Sequence, residues 1–430
     1  MTKLPQTALG SQEPKSREPT PQENRPASEG PADWGVVLIC TAGLTVCMIY
    51  LYSLGPLIIP ISQELGWTRG QTSAGLSLVS IISVIAAPVV GYNIDRFGSR
   101  RIAIVGCILF CTGITSLSQV GSLYAWFGVW GLVAAGSVLM KPTVWMSAVG
   151  QRFSRRRGLA MGLALSGTGL SAALAPVIAG FLEQQFDWRT AFLGLGIGSA
   201  CLLLPLLVLF FKDPVAIKQD ESAPTNIAPV AGVSIADGFR SATFARLAIA
   251  GFCVNFTVIG LVVHFVPLLT SYDFAAAHAA KLASVIGVST IVARLIIGTL
   301  IDRFPAKIVA VIGFLLPMLA CVLLLFFDGS QAMAVVIAML IGASLGAEVD
   351  IIAYLSSHHF GMRNFGTLFG TITGAISLGI GLGPTAAGVT FDYFGSYRPI
   401  FIGMLPLIIL AVTLIATLGP YPDHTAQSRS

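Results

Sequence analysis

Long apolar stretches separated by short polar segments make up most of this chain. A helix needs about 20 apolar residues to cross the hydrocarbon core of a bilayer, so each stretch predicts one membrane-spanning helix. Six stretches precede a polar segment at 212–243 and six follow it. The pattern predicts an all-α polytopic membrane protein of twelve transmembrane helices, in six-helix bundles at 34–211 and 244–419. The predicted spans lie near 35–61, 73–93, 101–120, 123–148, 158–182, 190–211, 244–270, 280–301, 306–327, 331–356, 366–390 and 398–418.

The polar segments outside the spans are of a different kind. Residues 1–33 carry six prolines among serine, glutamate, glutamine and lysine, and no apolar run follows Met1. Such a composition predicts a disordered tail and not a secretory signal. Residues 420–430 are predicted to form a second, shorter tail, and 212–243 a linker between the bundles.

The distribution of charge explains the net charge of +5. Charged residues make up 10% of the 430 residues, whereas about 25% is usual for a soluble domain. If both termini lie in the cytoplasm, the inner loops hold fourteen lysines and arginines and the outer loops hold four. Because basic residues favour cytoplasmic loops, this asymmetry predicts cytoplasmic termini. It also accounts for the positive charge without a nucleic-acid partner.

The two bundles carry an internal repeat. The segment Gly91-x-x-x-Asp95-Arg96-Phe97 recurs 207 residues later as 298–304, which contains Asp302 and Arg303. Two glycines, a proline, a glycine and a phenylalanine between 158 and 186 recur 208 residues later, between 366 and 394. Duplicated halves around a central binding site are a common transporter design. The repeat therefore indicates a transporter built from two pseudo-symmetric bundles.

The loop after the second span carries a family signature. It reads Gly91-Tyr-Asn-Ile-Asp95-Arg96-Phe-Gly-Ser-Arg100-Arg101 and resembles the G-x-x-x-D-R-x-G-R-R loop of the major facilitator superfamily. The resemblance covers nearly the whole chain and implies a transporter that works by alternating access. In that family this loop acts as a latch between conformations and not as a substrate site. The latch residues implied here are Gly91, Asp95, Arg96, Arg100, Arg101, Asp302 and Arg303.

Several other segments resemble the branch that contains monocarboxylate transporters and oxalate–formate exchangers. These segments are 33–37, 153–162 and 188–192. Arg294 matches an arginine of span 8 that members of this branch use to hold a carboxylate. The resemblance implies a small organic anion as substrate.

Two departures leave the choice between monocarboxylate and dicarboxylate open. The acidic residue that often precedes the span 8 arginine by one turn is Thr290 here. The span 11 lysine of oxalate exchangers has no counterpart, because 366–390 contains no lysine.

Four ionisable residues fall inside predicted spans: Lys141, Arg294, Glu348 and Asp350. Such residues are costly in a bilayer and are functional candidates by default. In one hypothesis Lys141 and Arg294 bind an anionic substrate while Glu348 or Asp350 carries a proton. In the other, Lys141 pairs with one of the two acids as a gate or structural bridge, and no proton is carried. At the repeat offset of 207, Lys141 corresponds to Glu348.

Other polar residues within the spans are weaker candidates for the substrate path. They are Tyr50 and Tyr52 in span 1, and Asn255 and His264 in span 7. Packing or an interfacial position is the favoured explanation for each of them.

The motifs exclude several classes of protein. The sequence has no nucleotide-binding loop G-x-x-x-x-G-K-[ST], no metal constellation and no arrangement of a nucleophile with a base, so it predicts neither an enzyme nor a metal or other cofactor. The predicted function is a secondary carrier for a small monocarboxylate-like anion, with a proton as coupling ion. An anion exchanger and an efflux pump for amphipathic compounds are the alternatives. Short loops and the lack of an N-x-[ST] site outside the spans favour a bacterial inner membrane, and a monomer is expected.

Overall fold

The computed structural model describes residues 31–153, 156–211 and 232–422. The side chains at 87–95 and at Asp302 lie outside the described part, as do the predicted tails at 1–30 and 423–430 and most of the linker. The N-terminal half contains nine α-helices within the described residues. They are α1 (Pro31–Cys47), α2 (Ile49–Tyr52), α3 (Leu54–Leu65), α4 (Arg69–Phe97), α5 (Ser99–Ser116), α6 (Leu123–Val138), α7 (Pro142–Arg152), α8 (Arg157–Gln185) and α9 (Trp188–Leu209).

The C-terminal half contains seven helices in the part of the chain that the structure describes. They are α10 (Ile235–Arg240), α11 (Ala242–Thr270), α12 (Ala276–Arg303), α13 (Ala306–Leu325), α14 (Gln331–Phe360), α15 (Phe365–Phe394) and α16 (Arg398–Ala416). Helix α10 lies in the predicted linker and was not expected there. Its first turn is capped by Ser234, whose hydroxyl accepts from the backbone N–H of Asp237 at 3.1 Å.

The long helices run alternately up and down the bundle, so the molecule has two faces. We call the face where α1 begins and α16 ends the terminal face, and the opposite one the distal face. Eleven segments of the described chain are long and apolar enough to cross a membrane. Helix α4 has 29 residues and is not among these segments, because its side chains at 87–95 lie outside the described part. The count of twelve spans therefore remains a prediction.

The serines of α4 contact the other half. Its serines face α15 of the other half instead of lipid: the Ser77 hydroxyl contacts the carbonyl oxygen of Gly381 at 2.9 Å and the hydroxyl of Thr385 at 2.7 Å. Glycine at 381 allows this approach, because a Cβ there would meet Ser80.

Two predicted spans are interrupted in the N-terminal half. Span 1 is divided into α1, α2 and α3 by breaks at Met48 and Ser53, and span 4 into α6 and α7 by a break at 139–141. Pro142 begins α7, and its missing N–H cannot extend the hydrogen bonds of α6. The repeat-related spans α11 and α14 are continuous over 29 and 30 residues.

Three basic side chains from separate helices hold the end of α16 at the terminal face. Arg246 Nη1 donates to the carbonyl of Thr417 at 2.6 Å, and Lys307 Nζ donates to that of Leu418 at 2.8 Å. His359 Nε2 lies 3.4 Å from the next carbonyl, at Gly419. These groups satisfy carbonyls that a helix C-terminus leaves without partners. We call them the terminal clasp.

Candidate functional site

The guanidinium of Arg294 lies where the two halves meet. Its Nη1 donates to the carbonyl of Leu165 at 2.6 Å and to the Thr168 hydroxyl at 3.0 Å, both on α8 of the N-terminal half. Its Nε lies 3.2 Å from Oδ2 of Asp350, on α14 of its own half. The side chain is only 14% exposed. Arg294 therefore joins the halves through a charged group that is largely shielded from water.

Two carboxylates flank this arginine on α14. Asp350 forms the ion pair and is 34% exposed, whereas Glu348 is 1% exposed. Within the described residues, Glu348 Oε2 is buried without a hydrogen-bond partner, although Glu348 lies in electrostatic range of Arg294 and Asp350. A buried carboxylate oxygen without a partner is costly if it is charged, so this position favours changes of protonation or partner.

Lys141 lies in the break of span 4. It has an extended backbone conformation and forms the N-cap of α7. Within the described residues its ammonium group makes no hydrogen bond or ion pair, and its electrostatic neighbour is Cys47, next to the first break of span 1. The hypothesis of a Lys141–acid bridge is thus not realised in this conformation, since Asp350 pairs with Arg294.

Tyr52 lines an apolar pocket between the halves. Its ring is 7% exposed, and its hydroxyl makes no hydrogen bond to any described residue. It interacts electrostatically with Glu348 and Arg294. We call Arg294, Glu348 and Asp350 the charged cluster, and Tyr52 lies beside it. The pocket wall combines residues of both halves: Tyr52, Gly55, Pro56, Ala172, Pro176, Val262, Val266, Ala283 and Ile286.

Tyr50 and Asn255 make contacts within their own halves. The Tyr50 ring packs edge-on against Phe110 and Trp130, with centroids 6.2 Å away in each case. The amide of Asn255 donates to the carbonyl of Gly251 on its own helix at 3.0 Å. The structure does not bring these two residues together with the charged cluster.

His264 lies in the distal half of the bundle and has hydrogen-bond partners at both ring nitrogens. Its Nδ1 is 2.9 Å from the Tyr397 hydroxyl, and its Nε2 is 2.8 Å from the Pro384 carbonyl and 3.3 Å from the Ser73 hydroxyl. Burial raises the pKa of Tyr397 to about 12, so its phenol stays protonated and can donate to Nδ1. Ser73 belongs to the other half, so His264 helps to close the distal face.

A second distal contact was missed by sequence reasoning. Asp392, at the end of α15, accepts from the backbone N–H groups of Arg69 at 2.9 Å and Gly70 at 2.7 Å. It therefore caps the first turn of α4 from the other half. The Arg69 guanidinium lies 3.6 Å from the Phe391 ring centroid and donates to the Tyr397 hydroxyl at 2.7 Å. We call Arg69, Asp392 and Tyr397 the distal clamp. No motif marks it, because N-cap residues normally precede their own helix.

The predicted latch loop is described only in part. The backbone of Gly91 and Asp95 belongs to α4, but their side chains and that of Asp302 are outside the described residues. Arg96, Arg101 and Arg303 are exposed. Arg100 donates to carbonyls of Leu207 and Val208 at the end of α9.

Two helical halves that enclose a charged cluster and an apolar pocket at their interface have the architecture of a membrane transporter. The family model of the Major Facilitator Superfamily matches residues 39–372 and 282–430. The chain belongs to the Major Facilitator Superfamily, and it is a transporter and not an enzyme.

Curated relatives agree with this assignment. The chain is 28% identical to Monocarboxylate transporter 11 of Mus musculus, covering 87% of this chain and 85% of the relative. It is 26% identical to Monocarboxylate transporter 13 of Bos taurus, covering 90% and 89%. The chain thus resembles the monocarboxylate transporter branch, as the span 8 arginine predicted.

The fold is shared with transporters of other kinds. A bacterial homolog of the human lysosomal transporter Spinster, inward-facing and unoccupied, superposes with a TM-score of 0.72 at 18% identity, covering 93% of this chain and 97% of that one. The nucleoside transporter NupG, in a mutant form, gives 0.73 at 14% identity, covering 90% and 100%. These likenesses show the fold alone.

Proposed function

We propose that this protein carries a small organic anion with a single carboxylate across the membrane by alternating access, coupled to a proton. The observation that carries the proposal is Arg294, a shielded cation between the halves, with Asp350 as its ion-pair partner and the unpartnered Oε2 of Glu348 beside it among the described residues. The names of the curated relatives, monocarboxylate transporters, support the same substrate class.

The contacts of Arg294 suggest how binding drives the conformational change. A guanidinium holds a carboxylate through two parallel hydrogen bonds, which are stronger than its bond to a neutral carbonyl. A bound substrate carboxylate therefore competes with the Leu165 carbonyl and the Thr168 hydroxyl for Nη1. When the substrate takes those bonds, Arg294 releases the N-terminal half, and the halves become free to move apart.

The second acid supplies the proton site of the proposal. A substrate anion adds one negative charge to a cluster that already contains Asp350 and Glu348. In a shielded site, uptake of one proton by an acid offsets that charge. Glu348 takes this role because its Oε2 has no partner to lose among the described residues.

The setting of the carrier follows from the sequence. We propose a monomer in a bacterial inner membrane, with the terminal face in the cytoplasm, as the excess of basic residues in its loops supports. In that orientation the distal clamp closes the outer side, and the conformation described here is closed to the outside.

The test uses the purified protein in liposomes, with labelled lactate, pyruvate, oxalate and a cationic dye. Acid uptake that rises with an inward proton gradient is expected. Arg294→Ala is expected to lower that uptake at least about tenfold, equivalent to about 1.4 kcal/mol. Arg294→Lys is expected to be impaired as well, because an ammonium cannot replace the planar fork.

Lys281→Ala is the matched control, since it removes an exposed cation from the same helix, α12. Uptake that survives in Arg294→Ala would remove this residue from the site. Acid exchange without any effect of the proton gradient would favour an exchanger, and movement of the dye without acid transport would favour an efflux pump.

A further inference from the structure

The ring of His359 in the terminal clasp faces a backbone carbonyl at each of its two nitrogens. Its Nδ1 lies 2.9 Å from the carbonyl oxygen of Leu355, one turn earlier on α14, and its Nε2 lies 3.4 Å from that of Gly419. The residue is 5% exposed, so water does not readily replace either partner. A carbonyl oxygen only accepts hydrogen bonds, and a neutral imidazole has a single N–H. Both contacts are therefore satisfied only when the ring carries two protons.

The contact with Gly419 is the one that depends on the second proton. In a neutral ring the proton lies on Nδ1, because the Leu355 carbonyl is the nearer acceptor. Nε2 then directs a lone pair at the carbonyl oxygen of Gly419, and the two atoms repel each other. A second proton converts this repulsion into a charge-assisted hydrogen bond. Protonation of His359 thus ties residue 419 to α14, and loss of the proton frees it.

The buried histidine of the distal half has a different set of partners. Nδ1 of His264 faces the hydroxyl of Tyr397 at 2.9 Å, and its Nε2 faces the carbonyl of Pro384 at 2.8 Å. A hydroxyl can donate to a neutral ring nitrogen, so a single proton is enough for that ring. The two-carbonyl setting therefore distinguishes His359 from His264.

Two cations on neighbouring helices approach the same end of α16. Arg246 on α11 and Lys307 on α13 donate to the two carbonyls that precede the one at Gly419. They oppose a third positive charge, whereas the ends of α14 and α16 favour one, because the carbonyls at a helix C-terminus carry partial negative charge. Of the three kinds of cation in the clasp, only imidazole changes charge between pH 5 and 8.

Two further titratable side chains lie beside the ring of His359. The ring centroid of Tyr421 is 4.9 Å away, at the far end of the segment that the clasp binds. Burial raises the pKa of the Tyr421 phenol, so it brings no negative charge to the imidazole. His358, on α14, contacts the same tyrosine, with ring centroids 5.2 Å apart. The segment thus rests on both histidines through one aromatic ring.

We propose that His359 makes the docking of residues 417–421 on the terminal face sensitive to pH, so that the segment is held at acidic pH and released at alkaline pH. The direction follows from the hydrogen bonds, because the docked segment gains its contact at Gly419 only from a protonated ring. The clasp joins the ends of α11, α13 and α14 to the end of α16, so protonation makes the terminal end of the C-terminal half more rigid. Neither the substrate nor a coupling ion enters this mechanism.

The labelling rate of a cysteine within the clasp reports release of the segment. Leu418 is 4% exposed, and Leu418→Cys keeps the backbone carbonyl that Lys307 binds. Met362→Cys supplies the reference thiol, because Met362 lies at the same face and is 61% exposed. Both are made in the full-length carrier with Cys201→Ser, which removes an exposed thiol. The maleimide labelling rate at residue 418 is divided by that at residue 362 at each pH, which removes the effect of pH on the thiol chemistry itself.

The normalised rate with His359 in place is expected to rise about tenfold between about pH 6 and about pH 8, as a charge-assisted hydrogen bond is lost. His359→Gln keeps a neutral donor that does not titrate, so its rate should not depend on pH. His359→Arg keeps a cation throughout and should label slowly at both pH values. His358→Gln is the matched control, since it removes the adjacent imidazole and should leave the rise in place.

Two outcomes overturn the switch. One is a rate that stays flat when His359 is present. The other is a rise of equal size in His359→Gln, whether or not the rise disappears in His358→Gln. The comparison of His359 with His359→Gln decides the question even where His359→Arg does not fold.

Discussion

The two repeat-related halves differ in the regularity of spans 1 and 4 and of their counterparts, α11 and α14. In the N-terminal half, spans 1 and 4 are broken at Met48, at Ser53 and at 139–141. In the C-terminal half, α11 and α14 continue without interruption. The residues that correspond at the offset of 207 also have opposite charge: Lys141 lies in a break, and Glu348 lies within a regular helix.

The difference shows two ways of placing polarity inside a bilayer. A helix break frees backbone groups, which must find other partners. Here the Trp145 indole donates to the carbonyl of Met140 at 2.6 Å, and the Cys47 thiol lies 3.8 Å from that of Ser137. A continuous helix keeps its backbone bonds and carries polarity only on side chains, as α14 does with its two acids. The N-terminal half therefore has the deformable elements, and the C-terminal half has the fixed acids.

The largest effect is expected when the two repeat-related charges, Glu348 and Lys141, are neutralised one at a time. If Glu348 carries the proton, Glu348→Gln should lower the gradient-driven accumulation of substrate at least about tenfold, while exchange of internal for external substrate continues. Lys141→Gln should slow both processes together, because it removes a cation from the path and not a proton site. Accumulation and exchange are measured in the same liposomes. Equal loss of both activities in Glu348→Gln would remove the functional distinction between the halves.

A smaller effect is expected where one half caps a helix of the other. Asp392→Asn keeps one acceptor but loses the charge that faces the start of α4. The change should weaken the distal clamp and favour opening of the distal face. The readout is the labelling rate of Ala280→Cys by an impermeant maleimide, because Ala280 is 1% exposed. A lost cap costs roughly 0.5–2 kcal/mol, so labelling should become about 2- to 30-fold faster when Asp392→Asn is added. Cys201→Ser removes an exposed thiol from the background.

Asp273→Asn provides the control for the clamp. It removes an exposed charge at the same face and in the same half. An equal rise in labelling in both variants would show that net charge, and not the cap, controls the opening.

The smallest effect is expected at the break of span 4, where Trp145 binds a backbone carbonyl. Trp145 and Trp130 are both fully buried in the N-terminal half, but the Trp130 indole nitrogen has no partner among the described residues. Trp145→Phe should therefore destabilise the protein by about 1 kcal/mol more than Trp130→Phe, because only Trp145 of these two satisfies a carbonyl of the break. The difference should appear in the apparent midpoint of thermal unfolding of the purified carrier. Identical midpoints would mean that the Met140 carbonyl needs no side-chain partner.

The apolar periodicity predicted the helical fold and its division into two halves, because hydrocarbon imposes length and composition on each span. The apolar pattern did not show the interruptions within spans 1 and 4, because apolar residues continue on both sides of each break.

The sequence predicted which residues form the charged cluster, but it did not predict which of them pair with each other. Arg294, Glu348 and Asp350 were found as charges within spans. That Arg294 pairs with Asp350 depends on how α12 and α14 rotate against each other. The Asp392 cap links residues more than 320 positions apart, and local pattern does not report such contacts.

The terminal clasp has a consequence for biosynthesis. Arg246, Lys307 and His359 are made long before residues 417–419, whose carbonyls they bind. A ribosome adds residues in order, so Arg246 precedes its partner by 171 residues, Lys307 by 111 and His359 by 60. These three contacts therefore form only after residue 419 has been made, and a chain that stopped before residue 417 would lack all of them.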